Sequence, residues 1–295
     1  MERLRQHLFE GIRSQTLQTI GAEIETQFVD HDGRAISTAT SQSMLGYLTE
    51  IGWKVEARKG RLITALVDEM GNRFFYELGR HNIELATRPT DIEHVTETAR
   101  HCLRQLYAAG KKCAARPLFA PIYDRAEDLL VIPDERDAVW LEVDGREALA
   151  PLARTSSVQF TFSVHPRDAI KLLNRLGSQT GAFLVDFPQD KLWRTYIRES
   201  RAGYREDRYG GHASFETQDD YVRALSVHDV VLGPKLVPLD TVSTLDVRLY
   251  LRSIWWHFRL KRYGDDLCIE VRPMPRRKDE AIERQLAQVL DIVER

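Results

Sequence analysis

Gly21-Ala22-Glu23-Ile24-Glu25-Thr26-Gln27-Phe28-Val29 is the stretch on which the fold turns. Read as a β-strand, whose side chains alternate between faces, it puts Glu23, Glu25 and Gln27 on one side and Ile24, Thr26 and Phe28 on the other. Successive carboxylates on one strand face stand about 6–7 Å apart. Acids brought closer by a neighbouring strand repel by about 1 kcal/mol at 4 Å in water, and by several times that in a drier cleft. Such a row is either open to water or gathered around a cation.

The same grammar recurs three times. In Tyr76–Thr87, Asn82, Glu84 and Ala86 oppose Ile83 and Leu85. Glu77 lies at an odd offset from Glu84, so a single regular strand aims the two apart unless a break at Gly79 re-aims Glu77 inward; a solvated acid beside a turn is the alternative. Ser157, Gln159, Thr161 and Ser163 oppose Val158, Phe160, Phe162 and Val164, and Glu270 and Arg272 oppose Ile269 and Val271. None of these four polar faces carries a lysine, although solvent faces ordinarily do. Oxygen ligands drawn from several strands suit hard divalent cations such as Mg²⁺ or Mn²⁺. An antiparallel sheet wet on one side is the structural alternative, and a simple ion pair to Glu270 is the alternative for Arg272.

Around these strands, apolar spacing predicts helices over residues 1–16 (Leu4, Leu8, Ile12), Ser41–Ile51, Ile92 towards Gly110, from Pro166 onward, 217–226, and a last one around Ile282–Val293. Thr90-Asp91-Ile92-Glu93 reads as a capping box for the third of these. Leu62–Val67 and Arg73–Leu78 read as extended. Residues 116–152 are polar and proline-punctuated, with Asp124–Asp128 and Asp134–Asp137 read as solvated surface. From Phe187 to Gly211 the chain is rich in Arg and Tyr. It reads as a loop able to clamp an anion, with a mobile basic surface loop as the alternative. Val242–His257 reads as buried. The fold class expected is α+β: a curved antiparallel sheet, its polar face concave, with helices on the aliphatic outer face, as one domain over 1–295.

Composition sets the frame. The 295 residues are 43% hydrophobic and 29% charged, with a net charge of −2, which gives no footprint for nucleic acid or an anionic membrane surface. Three cysteines without metal-binding spacing argue against a disulfide framework. No signal-peptide pattern follows Met1, and no apolar run is long enough to span a bilayer. A cytoplasmic protein acting on small molecules is the expectation, with homo-oligomerisation left open.

Taken together, these residues resemble the carboxylate-amine ligases and type 2 glutamate–cysteine ligases of the glutamine synthetase-like superfamily. Gly21-Ala22-Glu23-Ile24-Glu25 is similar to that family's Gly-x-Glu-x-Glu first strand, and Glu77 through Glu84-Leu85-Ala86 to its second acidic element. Ser157-Val158-Gln159 resembles the strand that supplies a His or Gln. Phe215 and Asp220-Tyr221-Val222 resemble its short helix after the substrate loop. Trp256-His257-Phe258-Arg259 and Glu270-Val271-Arg272 resemble its closing Trp-x-x-Arg and Glu-x-Arg pair. The matches are short but fall in the family's order along nearly the whole chain.

The resemblance implies a glutamine synthetase-like catalytic domain that forms an amide at the expense of ATP. ATP phosphorylates a carboxylate, that of glutamate's γ position by analogy, and an amine such as cysteine attacks the acyl phosphate. Carried over, Glu23, Glu25, Glu77, Glu84, Gln159 and Glu270 hold Mg²⁺ (or Mn²⁺) around the triphosphate. Arg272, with Glu270, serves the transferring phosphoryl group, Arg259 binds phosphate or substrate carboxylate, and Arg194, Arg198 and Arg201 bind substrate carboxylate. The chain departs from the family at Phe183-Leu184-Val185-Asp186-Phe187-Pro188, bulkier and more acidic than the usual small-residue loop. It departs again at Pro273-Met274-Pro275, where an acid usually follows, and in ending at Arg295 rather than in a longer helical tail. The other readings open at this point are a two-metal phosphodiesterase or nuclease and a non-catalytic nucleotide-binding relative.

Overall fold

Alternation and helical spacing set the elements in chain order. Leu4 and Leu8 form the buried stripe of α1 (Glu2–Phe9), which stops well short of residue 16 because Glu10 turns extended and Gly11 takes a left-handed φ of 69°. The acidic stretch becomes β1 (Ile20–Val29), followed by α2 (Thr38–Glu50), β2 (Lys54–Lys59), β3 (Leu62–Val67), β4 (Arg73–Tyr76) and β5 (Asn82–Ala86). Next come α3 (Ile92–Lys112) and β6 (Arg116–Leu118). The computed structural model describes residues 1–131 and 138–295, so the expected surface run Asp134–Asp137 lies outside the described residues. After it come α4 (Ala138–Asp144), α5 (Arg146–Leu149), β7 (Ser157–Ser163), α6 (Pro166–Ser178), α7 (Thr180–Leu184) and α8 (Gln189–Glu199). The chain closes with β8 (Tyr209–Gly210), α9 (Gln218–Ser226), β9 (Val230–Leu232), β10 (Lys235–Val237), α10 (Val247–Arg252), β11 (Trp255–Trp256), β12 (Phe258–Tyr263), β13 (Asp266–Pro275) and α11 (Glu280–Glu294).

Among the described residues, nine strands form one antiparallel sheet in the order β12-β13-β7-β1-β5-β4-β3-β2, with β6 paired to the end of β1. The fold class is α+β, as the alternation predicts. One face is aliphatic: Ile24, Phe28, Leu85, Phe160, Phe162 and Ile269 are all fully buried and share a core with Leu103 and Leu106 of α3, Leu176 of α6 and Val289 of α11. A second apolar cluster, including Trp140, Tyr196, Tyr204 and Tyr209, binds the middle of the chain together. No helix among the described residues is long and apolar enough to cross a membrane.

Three local expectations need correction. The Arg- and Tyr-rich segment is not a loop throughout, because its first half is α8, whose buried face carries Tyr196 and Ile197. The capping box does not form: α3 starts from Asp91, which makes no side-chain cap. The run from Val242 is not buried as a whole, since Ser243, Thr244 and Asp246 are exposed and Asp246 caps α10 through Leu249 N–H at 3.0 Å.

Candidate active site

The register of the sheet assembles the polar face. Glu25 stands opposite Glu84, Glu23 opposite Ala86 on one side and Gln159 on the other, and Gln27 opposite Asn82. Glu270 stands between Thr161 of β7 and Arg259 of β12.

Glu77 joins this face without a distorted strand. Phe75 pairs with Glu84, and Glu77 N–H donates to Asn82 O at 3.2 Å, one step further along the same hairpin. Paired residues of an antiparallel hairpin point to the same side, so residues of opposite parity, 77 and 84, share a face. The odd offset that separates two side chains on one strand unites them across a turn. Gly79 lies in that turn for a packing reason: a Cβ there would sit 2.4 Å from the Ala153 carbonyl.

Burial and neighbouring charge raise two of these acids, Glu25 and Glu84. Burial pushes the Glu25 carboxyl up, and the nearby Glu77 charge adds to it, bringing it to about 8 although Ser157 N–H (2.9 Å) and Arg272 oppose the shift. Burial, then Glu77, Glu23 and Glu25, likewise hold Glu84 well above its ordinary range. Acids this crowded call for a cation, and an all-oxygen set suits a hard divalent ion. The row therefore fits Mg²⁺ or Mn²⁺. It is a row, not one tight cage. Among the described residues, three such ligand atoms come within 4.8 Å of one another only at Asp30, His31 and Asp32, in a largely exposed turn.

Next to the acids lies their complement. Glu270 is 0% exposed, and its oxygens accept from Arg259 Nε, Lys261 Nζ and Arg272 Nη1, the last at 3.0 Å. Burial alone would raise this carboxyl, but Arg259, Lys261 and Arg272 together hold it well below the ordinary carboxylate range. Arg272 Nη1 also donates to Gln159 Oε1 at 2.9 Å, and Gln159 Nε2 donates to Glu25 Oε1 at 3.5 Å. Lys261 Nζ reaches Glu23 at 3.5 Å. The ion pair weighed for Arg272 is thus present. Both oxygens of Glu270, expected as a metal ligand, rest on cations.

Lys261 was not anticipated. The signal was there: Arg259, Lys261 and Tyr263 alternate with Leu260 along β12. The lysine-free pattern held for four strands, and β12 is a fifth strand of the same face. Of the three arginines assigned to substrate, Arg194 on α8 donates to Asp190 Oδ2 at 2.7 Å and sits over the Tyr209 ring. Arg198 is exposed beside Glu199, and Arg201 donates to the Asp144 carbonyl at 3.3 Å.

No protein-family model and no curated protein sequence matches the chain. Among solved structures, a bifunctional glutathione synthetase from Pasteurella multocida superposes on 93% of this chain with a TM-score of 0.52 and 12% identity. The likeness is one of fold. This chain spans 39% of that protein's length. A glutamate–cysteine ligase from Francisella tularensis, in complex with AMP, gives a TM-score of 0.48 at 13% identity, covering 96% of this chain and 68% of that one. A glutamine synthase homologue gives 0.37 at 13% identity, covering 99% of this chain and 57% of the other.

Proposed function

We propose that this chain is an ATP-dependent carbon–nitrogen ligase of the glutamine synthetase-like superfamily, joining a carboxylate, that of glutamate's γ position by resemblance, to an amine such as cysteine. One observation carries the reading: a row of four carboxylates abuts a cluster of three cations on a single sheet face. Phosphoryl transfer needs little else, since it is mostly positioning and charge neutralisation. The fold shared with part of a bifunctional glutathione synthetase supports it. Residues 1–295 act, on this reading, as one catalytic domain whose sheet curves around small-molecule substrates in the cytoplasm.

Glu23, Glu25, Glu77 and Glu84, with Gln159 beside them, would hold Mg²⁺ or Mn²⁺, which when bound neutralises the ATP triphosphate. The substrate carboxylate attacks the γ-phosphorus and ADP leaves with the bridging oxygen. Arg272, Arg259 and Lys261 stabilise the charge that develops, and Glu270 keeps their three heads together. Arg194, Arg198 and Arg201 are assigned to the substrate's free carboxylate. The amine nitrogen then attacks the acyl carbon and inorganic phosphate departs. Calorimetry of ATP binding tests the acidic half of the site. Binding that requires Mg²⁺ and is lost in Glu25→Gln/Glu84→Gln supports the assignment, and unchanged binding in that variant refutes it.

A further inference from the structure

His257 lies on the polar face immediately beside Arg272: its carbonyl accepts from Arg272 N–H at 3.0 Å, continuing the register of Phe258 with Val271. Its side chain is 3% exposed, walled by Phe187 at 6.4 Å and by the edge-on ring of Tyr209 at 5.0 Å. Tyr209 in turn stacks on Trp193. His257 Nε2 stands 3.3 Å from Asp190 Oδ1. The Tyr209 hydroxyl also faces Asp190, and beyond this cluster neither His257 Nε2, Asp190 Oδ1 nor the Tyr209 hydroxyl has a hydrogen-bond partner among the described residues. A buried histidine, aspartate and tyrosine hydroxyl that have mainly one another to satisfy them, beside the arginine assigned to the phosphoryl group, leave the imidazole oriented by a carboxylate and placed to exchange a proton.

We infer that His257, oriented by Asp190, is the general base that takes a proton from the attacking amine. The inference rests on the ligase reading above. An amine enters as an ammonium ion and cannot attack until it has lost a proton. With Nε2–H turned to Asp190, the Nδ1 lone pair accepts that proton. The freed nitrogen forms the C–N bond to the acyl carbon, the C–O bond to phosphate breaks, and phosphate leaves with the electron pair. The Asp190 carboxylate stabilises the imidazolium, as in other base–carboxylate pairs. The charges facing the ring agree with this. Burial, Arg194 and Arg272 favour the neutral imidazole, and although burial pushes Asp190 up, His257 and Arg194 hold it below its ordinary range. Asp190 is then a positioning residue, fixed from its other side by Arg194. Phe187, from the loop where the chain departs most from the family it resembles, closes the ring off from water.

The test compares two acceptors in His257→Gln: an alkylamine, protonated at neutral pH, and hydroxylamine, which is largely unprotonated there and needs no base. Amide formation with the alkylamine is expected to fall about 10²–10³-fold, the range for a lost general base, while hydroxamate formation falls less than threefold. Positional isotope exchange in ATP with the carboxylate alone, retained in the variant, shows that it folds and makes the acyl phosphate. Asp190→Asn serves if His257→Gln does not fold. Its kcat should fall roughly tenfold with the alkylamine only, with the acid limb of the pH profile displaced, while any rise in carboxylate KM through Arg194, which Asp190 holds, is shared by both acceptors. Equal losses with both acceptors, or none, overturn the base assignment. A wild-type protein that makes neither amide nor hydroxamate overturns the ligase reading itself.

Discussion

Glu25 and Glu84 face each other directly across the β1–β5 pair, two carboxylates on the same side of neighbouring strands. Like charges so placed destabilise a sheet, and both carboxyls are raised, Glu25 to about 8 from an ordinary 4.5. An acid whose folded pKa exceeds its unfolded pKa binds more protons when folded. The stability of the metal-free protein therefore falls as pH rises from about 4.5 to 8 through this pair, and on the proposed metal assignment Mg²⁺ bound in place of the protons would offset the loss.

Thermal denaturation checks that sign. Without metal the melting temperature should decline between pH 5 and 8, and millimolar Mg²⁺ should raise it more at pH 8 than at pH 5. Glu25→Gln should flatten the decline and raise the metal-free melting temperature at pH 8 by about 2–4 °C, equivalent to about 1 kcal/mol. A melting temperature that climbs over this range in the absence of metal contradicts the account.

Glu270 is the structural member of the site. Replacing it by Gln leaves Arg259, Lys261 and Arg272 without their shared carboxylate. Breaking a buried pair of this kind costs about 3–5 kcal/mol. Glu23→Gln should cost under about 1 kcal/mol, since Glu23 is partly open and its cation contact, to Lys261, is 3.5 Å long. Urea denaturation separates the two. Equal losses would show that Glu270 does not hold the cation cluster together.

Lys261 spans the two halves of the site, touching Glu270 and reaching Glu23. Lys261→Met removes a positive charge that competes with metal, so Mg²⁺ affinity, read by calorimetry, should rise about five- to tenfold. Turnover should nonetheless fall by about 10²-fold or more, because the same charge is lost to the transferring phosphoryl group. Weaker Mg²⁺ binding in this variant would place Lys261 outside the acid row's field.

Asp144 is 2% exposed and accepts from Tyr196 (2.8 Å), Tyr204 (3.1 Å) and Ser200. These contacts tie α8, which carries Asp190 and Arg194, to the rest of the chain. Asp144→Ala should cost about 2–4 kcal/mol by stranding three hydroxyls, and should raise KM for the carboxylate substrate through loss of Arg194's position. A variant as stable as wild type would show that this buried carboxylate does not secure α8.

The period of two along Glu23–Gln27, Asn82–Ala86, Ser157–Ser163 and Glu270–Arg272 is strong enough to be read directly from the chain, and with it went the sheet, its aliphatic core and most of the polar row. What escaped was pairing. Glu77 and Glu84 come together only because a hairpin reverses parity, and Lys261 meets Glu23 only because β12, β13, β7 and β1 lie side by side. The helix α8 was hidden because its Arg and Tyr read as a clamp loop, whereas in the fold Tyr196 joins Ile197 on a buried face and Arg194 and Arg198 lie on the exposed one. The dyad of Asp190 and His257 spans 67 residues of sequence and leaves no local signal at all.

The central claim, ATP-dependent joining of a carboxylate to an amine, is tested most directly by ADP release in the presence of Mg²⁺, glutamate and a panel of amines. The account predicts ADP formation that requires glutamate, one amine and Mg²⁺ together, and that disappears in Glu25→Gln/Glu84→Gln. ATP turnover indifferent to both carboxylate and amine, or none with any combination, would contradict it.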